Sequence, residues 1–312
     1  MFIDNLVEQV KEINVKTDYW FVRTDNGKYF ETFYKNGFIA VGWNNVTIEE
    51  LKNGNKDETV RKKIFKAEKL EVENPASKSK VTGIINKLNN FVNLKKGDII
   101  IIPSENSYSF AFGIVESSSV YIDNEKSFEC DFYKRKKVKW LERKPLSELD
   151  PNFFRMKTSR HTISKIDDYS EFIDSVINSL YMKNDNTHFV LDIKTTDDIN
   201  VVSLLSLIQN IQQLVNNIND DFELDEKINH NSIRLNLQSP GKIEFKLLVG
   251  KSLITLATIL SLTCCKDGKQ KSNIPKLDKF IETHNDTINK IKKSMNELEV
   301  DKDRINSFNY GN

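Results

Sequence analysis

A chain of 312 residues is too long for one simple core, and 38% hydrophobic against 29% charged residues makes it polar but foldable. A net charge of +1 decides neither for nor against nucleic acid. The three cysteines, Cys130, Cys264 and Cys265, make neither a disulfide framework nor a metal set, which sets aside secreted scaffolds and points to a reducing cytoplasm.

The opening MFIDNLVEQVKEI carries acids and no long apolar run, as expected of a short amphipathic helix rather than a signal peptide, with Phe2, Leu6, Val10 and Ile13 on one stripe. Two apolar runs follow, Tyr19–Val22 and Phe38–Val41. Between them Asp25-Asn26-Gly27 reads as a turn that reverses the chain. Arg23 ends the first run and Gly42-Trp43 ends the second. Aromatic residues and an arginine at the ends of short strands are what a pocket for a flat ligand needs, although core packing is the commoner fate of strand aromatics.

Thr47-Ile48-Glu49-Glu50-Leu51 has the form of a capped helix start. Residues 58–69 read as a basic amphipathic helix with a solvated face, and Val81, Ile84, Ile85, Leu88 and Phe91 define a core-facing helix. Lys96-Gly97-Asp98 is a tight turn into Ile99–Pro103, a strand buried on both faces. Residues 108–115 are its hairpin partner, and 128–140 read as a further strand pair, with Trp140 alternating with Val138 toward the core. A small, partly open barrel with two inserted helices accounts for this order.

The ordered set Val22-Arg23…Gly27…Tyr29, Ile39–Trp43, Lys95–Pro103, Phe110–Val115 and Arg135–Leu141, closed by Ser159–Ile163, resembles the PUA-like superfamily, in the EVE-like branch found in bacterial restriction and phage-defence proteins. The resemblance spans about residues 15–175. It implies a barrel whose cleft binds nucleic acid, often a modified base taken out of the stack and held by aromatic stacking and edge hydrogen bonds. Carried onto this chain, the base pocket would use Trp20, Arg23, Trp43, Tyr108 and Phe112, with Arg160, His161 and Thr162 adding polar contacts. Lys134, Arg135, Lys136, Lys137 and Lys139 would meet phosphates.

Past this region, a helix continues over 167–180, and the polar stretch 182–186 reads as a domain boundary. Then come a strand at 188–193, a long helix from Ile199 capped by Asp197-Asp198, two alternating strands at 232–237 and 242–247, and an apolar helix at 248–264. A helix so apolar must be covered on nearly all sides, which an 80-residue unit hardly supplies, so self-association is expected. Lys246 and Lys251 interrupt the apolar run, and Ser252–Cys265 is too short for a span of about 20 residues, so a buried helix is expected rather than a membrane one. Residues 266–273 read as a linker, and Leu277, Phe280, Ile281, Ile288, Ile291, Met295 and Leu298 as a helical packing or coiled-coil arm.

Two catalytic patterns are present in part. Asp192-Ile193-Lys194 and Glu244-Phe245-Lys246 have the acid-x-lysine form of metal-dependent nucleases, the latter with Asp220 or Asp221 upstream. Glu244 and Lys246 equally fit the solvent face of an alternating strand. There is no phosphate-binding glycine loop and no His-Glu-x-x-His, and the four histidines lie far apart.

The expectation is an α+β protein without a cofactor or a metal site: a PUA/EVE-like small β-barrel with inserted helices over 1–178, a smaller β-α-β-β-α module over 186–266 for oligomerisation or effector action, and a helical arm over 274–308. Its expected function is a non-enzymatic, cytoplasmic sensor of nucleic acid, modified DNA ahead of RNA, with a protein partner in a defence system. The alternatives are a nuclease built on Glu244 and Lys246, a membrane-acting effector using 248–265, and a barrel that binds a nucleotide-like small molecule.

Overall fold

The computed structural model describes residues 2–52, 58–123, 130–157, 161–236, 240–264 and 274–306. The fold is α+β, with a sheet curled into a half-barrel and a second, separate sheet. The chain divides into two compact units, 17–173 and 1–16 with 174–312. Helix α1 (Phe2–Gln9) therefore belongs with the C-terminal half, although it opens the chain.

Residues 17–173 begin with β1 (Tyr19–Val22), α2 (Phe30–Asn36) and β2 (Phe38–Val41). Strands β1 and β2 do not pair with each other. Asp25, Asn26 and Gly27 do turn the chain through left-handed backbone (φ 54°, 56° and 94°), but into a helix. Phe30 and Phe33, three apart, bury one face of α2, and Gly37 ends it in left-handed conformation (φ 66°). Asn36-Gly37 is thus a helix stop.

Helices α3 (Ile48–Lys52), α4 (Glu58–Ala67) and α5 (Pro75–Asn93) follow. The Thr47 hydroxyl accepts from Glu50 N at 3.2 Å while the Glu50 carboxylate accepts from Thr47 N at 2.9 Å, the reciprocal cap its sequence indicates. The Asn74 side chain caps α5, with Pro75 in the first turn. All five apolar residues assigned to that helix's core face are buried. Helix α4 is amphipathic as expected, burying Val60, Ile64 and Phe65 on one face.

The strands are completed by β3 (Ile99–Pro103), β4 (Ser109–Val115), β5 (Tyr121–Ile122) and β6 (Lys134–Pro145), then helix α6 (Phe153–Lys157) and strand β7 (Ile163–Lys165). Their order is β2-β6-β4-β3-β1-β7, with β5 beside β6. Every residue of β3 is buried, as its apolar run requires. The strand pair expected over 128–140 is instead one long strand, β6. Its Lys134–Lys137 half pairs with β2 and the rest pairs with β4. A bulge between Phe112 and Gly113, opposite Trp140–Glu142, bends this ladder. Gly113 is required there, since a Cβ would lie 2.5 Å from Val138 Cγ1 and 2.6 Å from the Trp140 ring.

In the other unit, α7 (Ser170–Ile177) runs in from residue 174, after a turn of 3-10 helix rather than as one helix to 180. Strands β8 (Leu180–Lys183) and β9 (Asn186–Ile193) form a hairpin closed by Asn184 and Asp185 (φ 50° and 59°). The boundary expected at 182–186 is therefore a tight turn: two consecutive left-handed residues fit the twist of paired strands. Helix α8 (Val201–Asp221) is capped by the Asn200 side chain, which accepts from Ser203 N, rather than by Asp197-Asp198. Strands β10 (Ser232–Asn236) and β11 (Gly241–Leu248) complete a sheet ordered β10-β11-β9-β8.

Helices α9 (Lys251–Cys264), α10 (Pro275–Thr283), α11 (Asn285–Glu297) and α12 (Lys302–Asn306) follow. The apolar α9 is buried from Ser252 to Ser261 in one core with Leu6 of α1, the inner face of α8, α11 residues and Ile305 of α12. Its covering comes from both ends of the chain, so it supplies no argument for self-association. For the same reason 274–306 is part of this core, with Leu277, Phe280, Ile288, Ile291 and Met295 buried, and not a free arm. The N-terminal segment is tied to β8: Ile13 N donates to Met182 O at 2.8 Å and Met182 N to Lys11 O at 2.9 Å. Among the described residues no helix is long and apolar enough to cross a membrane.

Candidate functional site

The curl of the first sheet brings the C-terminal ends of β1 and β2 to one rim, although β2 stands first and β1 fifth in strand order. An open cleft of about 640 Å³ lies there, lined by Arg23, Asn26, Trp43, Glu68, Phe132 and Thr162 among others. Its volume is that of a small-molecule or base-sized site. Arg23 follows β1, and its N–H donates to Thr162 O at 2.8 Å, which extends the β1–β7 pairing to the cleft edge. Its guanidinium stands 5.6 Å from the Phe21 ring, and partial burial pushes its pKa down from the ordinary value.

Trp43 is held at both ends. Its backbone is left-handed (φ 54°), a conformation costly for a bulky side chain and found where the surroundings enforce it. Its carbonyl accepts from Val46 N at 3.0 Å and from Lys134 Nζ at 2.9 Å. The indole Nε1 donates to Glu68 at 3.0 Å, and Glu68 pairs with Lys80 at 2.8 Å. The hydrogen bond from Lys80 holds the Glu68 carboxyl below its usual range, so the acceptor is an anion. The ring thus stands half-buried in a fixed orientation, which lowers the entropy lost when a flat ligand stacks on it.

Phe132 is set by its neighbours. Its ring meets Tyr29 edge-on at 4.8 Å, and the Tyr29 hydroxyl donates to Asp131 at 2.7 Å. Asn44 brackets the segment, donating to Asp131 O at 2.7 Å and accepting from Tyr133 N at 3.1 Å.

Of the eight expected pocket residues, the structure therefore gathers three, Arg23, Trp43 and Thr162. Trp20 packs half-buried against the core, its indole nitrogen buried without a hydrogen-bond partner among the described residues. Tyr108 is 73% exposed and does not line this cleft. Phe112 is fully buried, edge-on to Phe153 at 5.8 Å, because β4 alternates and turns Phe110 and Phe112 to the face opposite Ala111. His161 is exposed and is not a lining residue. Arg160 lies outside the described residues. Phe132, Asn26 and Glu68 escaped the sequence reading. Asn26 sat in a recognised turn, but nothing in the spacing singles out Phe132 or Glu68.

The basic run is corrected more sharply. Lys134, Arg135 and Lys136 are buried. Lys134 donates to Trp43 O and, at 3.1 Å, to Val46 O. Arg135 pairs with Asp123 and lies over the Phe38 ring at 4.4 Å. Lys136 donates to Leu94 O and Ser118 O at 2.5 and 2.6 Å. These cations hold loop carbonyls and an acid, so only the exposed Lys137 and Lys139 are open to phosphates.

Burial pushes Lys134 and Lys136 down to about 8 from 10.5. A lysine whose folded pKa is depressed sheds its proton in the folded chain before the unfolded one, so stability rises with pH between the two values. The unfolding transition of residues 17–173 is expected to move up in temperature from pH 8 to pH 10. Lys136→Met should flatten that rise, and an equal rise in the variant would show that the lysine titrates normally.

In the second unit the nuclease candidates are engaged elsewhere. Glu244 is buried and accepts from Tyr181 OH at 3.1 Å, lies 2.6 Å from His188 Nδ1 and faces Arg234 at 3.4 Å. It is not on a solvent face. Desolvation opposes its charge, yet these partners together hold its carboxyl below the ordinary value. Asp192 pairs with Arg304, Lys194 with Asp301 at 2.8 Å, and Asp221 with His284 at 3.0 Å. Among the described residues no group of three or more His, Cys, Asp or Glu is placed to hold a metal ion.

Residues 20–167 match the model of a family described as a domain of unknown function, DUF8426, which falls within the unit that carries the cleft. No curated protein and no solved structure matches the chain.

Proposed function

We propose that residues 17–173 form a receptor for a flat heteroaromatic group, a nucleobase presented out of its stack, and that the protein is a non-enzymatic cytoplasmic sensor of modified nucleic acid. The carrying observation is the meeting of Arg23 and Trp43 in one cleft, the indole fixed by Glu68 and by its own left-handed backbone. Trp43 and Phe132 offer aromatic surface, Arg23 offers a planar cation, and Asn26 and Thr162 offer polar groups for the edge of a base. The resemblance to PUA/EVE-like domains supports the same reading and is the sole ground for the defence setting, the preference for DNA over RNA and a protein partner.

The test uses the full chain and short labelled duplexes and single strands carrying cytosine and adenine or their methylated forms, at two salt concentrations. Selective binding of one modified base that survives the higher salt supports the reading. Binding indifferent to the base and lost at higher salt would reduce it to a basic surface.

A further inference from the structure

Beside the cleft of Arg23 and Trp43 lies a second, of about 350 Å³, lined by Arg23, Asn26, Gly27 and the loop Pro103–Ser107. Arg23 and Asn26 line both, so the two are neighbours across one shared wall. Their chemistry differs. The larger presents Trp43 and Phe132, whereas the smaller has no aromatic lining and presents Ser104, Glu105, Asn106 and Ser107.

The smaller cleft has a fixed floor. The Thr24 hydroxyl donates to Pro103 O at 2.6 Å, Ser107 N to Ser104 O at 2.9 Å, and Ser109 N to the Ser104 hydroxyl at 2.9 Å. Gly27 lies so close to the loop that a Cβ there would fall 2.2 Å from Glu105 Cα, and at φ 94° the backbone suits glycine.

We infer that the smaller cleft receives the sugar–phosphate of the nucleotide whose base occupies the larger one. The inference rests on the base-receptor reading and names its ligand class: a nucleotide, not a free base. An aromatic cleft beside a polar one, with a cation at the seam, matches the two halves of a nucleotide. Glu105 and Asn106 offer an acceptor and an amide to sugar hydroxyls, and the Glu105 carboxylate repels phosphate from the loop. The phosphate is thereby directed to Arg23, the charged group common to both clefts. Together the clefts approach the upper end of the ~300–1,000 Å³ range of small-ligand sites, more than a base alone would fill.

The test titrates the full-length protein with 5-methylcytosine and N6-methyladenine, each as the free base and as the 2′-deoxynucleoside 5′-monophosphate, beside the oligonucleotides. For one base, the monophosphate is expected to bind at least tenfold tighter than the free base. Asn106→Gly removes the side chain at a position whose φ of 51° glycine adopts freely. It should shrink that gain below threefold and leave free-base affinity unchanged. Equal affinity for base and monophosphate, or an equal loss of both in Asn106→Gly, overturns the inference while the receptor reading stands. Binding of oligonucleotides with neither small form bound also overturns it, because affinity would then lie outside the two clefts. No binding of any form removes the receptor reading, and this inference with it.

Discussion

Truncating Phe112 to alanine is expected to destabilise residues 17–173 by about 3–5 kcal/mol, the usual cost of emptying a buried phenylalanine site. The ring is fully buried and meets Phe153, which also lies against Phe110. Neighbours on a strand and a helix are held by their own backbones and collapse only partly into the void. For a unit of this size the loss corresponds to a Tm lower by roughly 6–20 °C, read by circular dichroism or calorimetry. Affinity per folded molecule should stay close to that of the parent chain. A variant that melts normally but fails to bind would place Phe112 at the ligand after all.

Trp43→Ala should do the reverse. A base stacked on an aromatic ring contributes about 1–3 kcal/mol, so Kd is expected to rise roughly 5- to 150-fold. The fold should hold, because the indole is half-buried, Glu68 keeps its ion pair with Lys80, and alanine tolerates the left-handed backbone no worse than tryptophan does. Trp43→Phe should recover most of the affinity, since it restores a ring and lacks only the donor to Glu68. If alanine and phenylalanine both bind like the parent chain, the ligand does not stack on this residue.

How far the sequence foretold this depended on whether a signal was local. The apolar run of β3, the face of α5 and the Thr47–Glu50 cap are properties of neighbouring residues, and each was read correctly. Arg23 and Trp43 were singled out because each ends a strand, and strand ends meet at a rim. Lys134–Lys136 were misread because a charge run is ordinarily solvated. Their burial depends on Leu94, Ser118 and Asp123 offering oxygens beside β6, and no spacing shows that. The misread turns have a common cause. Asp25-Asn26-Gly27 and Asn184-Asp185 both adopt left-handed backbone, yet one leads into a helix and the other closes a hairpin. Residue type fixes the local φ, while the partner strand or helix that decides the outcome lies far along the chain. Phe132 became a cleft wall through Tyr29 and Asn44, about ninety or more residues earlier.

The backbone hydrogen bonds that Met182 exchanges with Lys11 and Ile13 have a consequence for synthesis. Residues 1–16 leave the ribosome ahead of 17–173, but their partner strand is made only after all of 17–173 has been translated. The middle of the chain holds its whole sheet within itself and is complete while its predecessor still waits. The protein thus finishes from the inside outward. The core that buries α9 must remain open until α12 has emerged to close it.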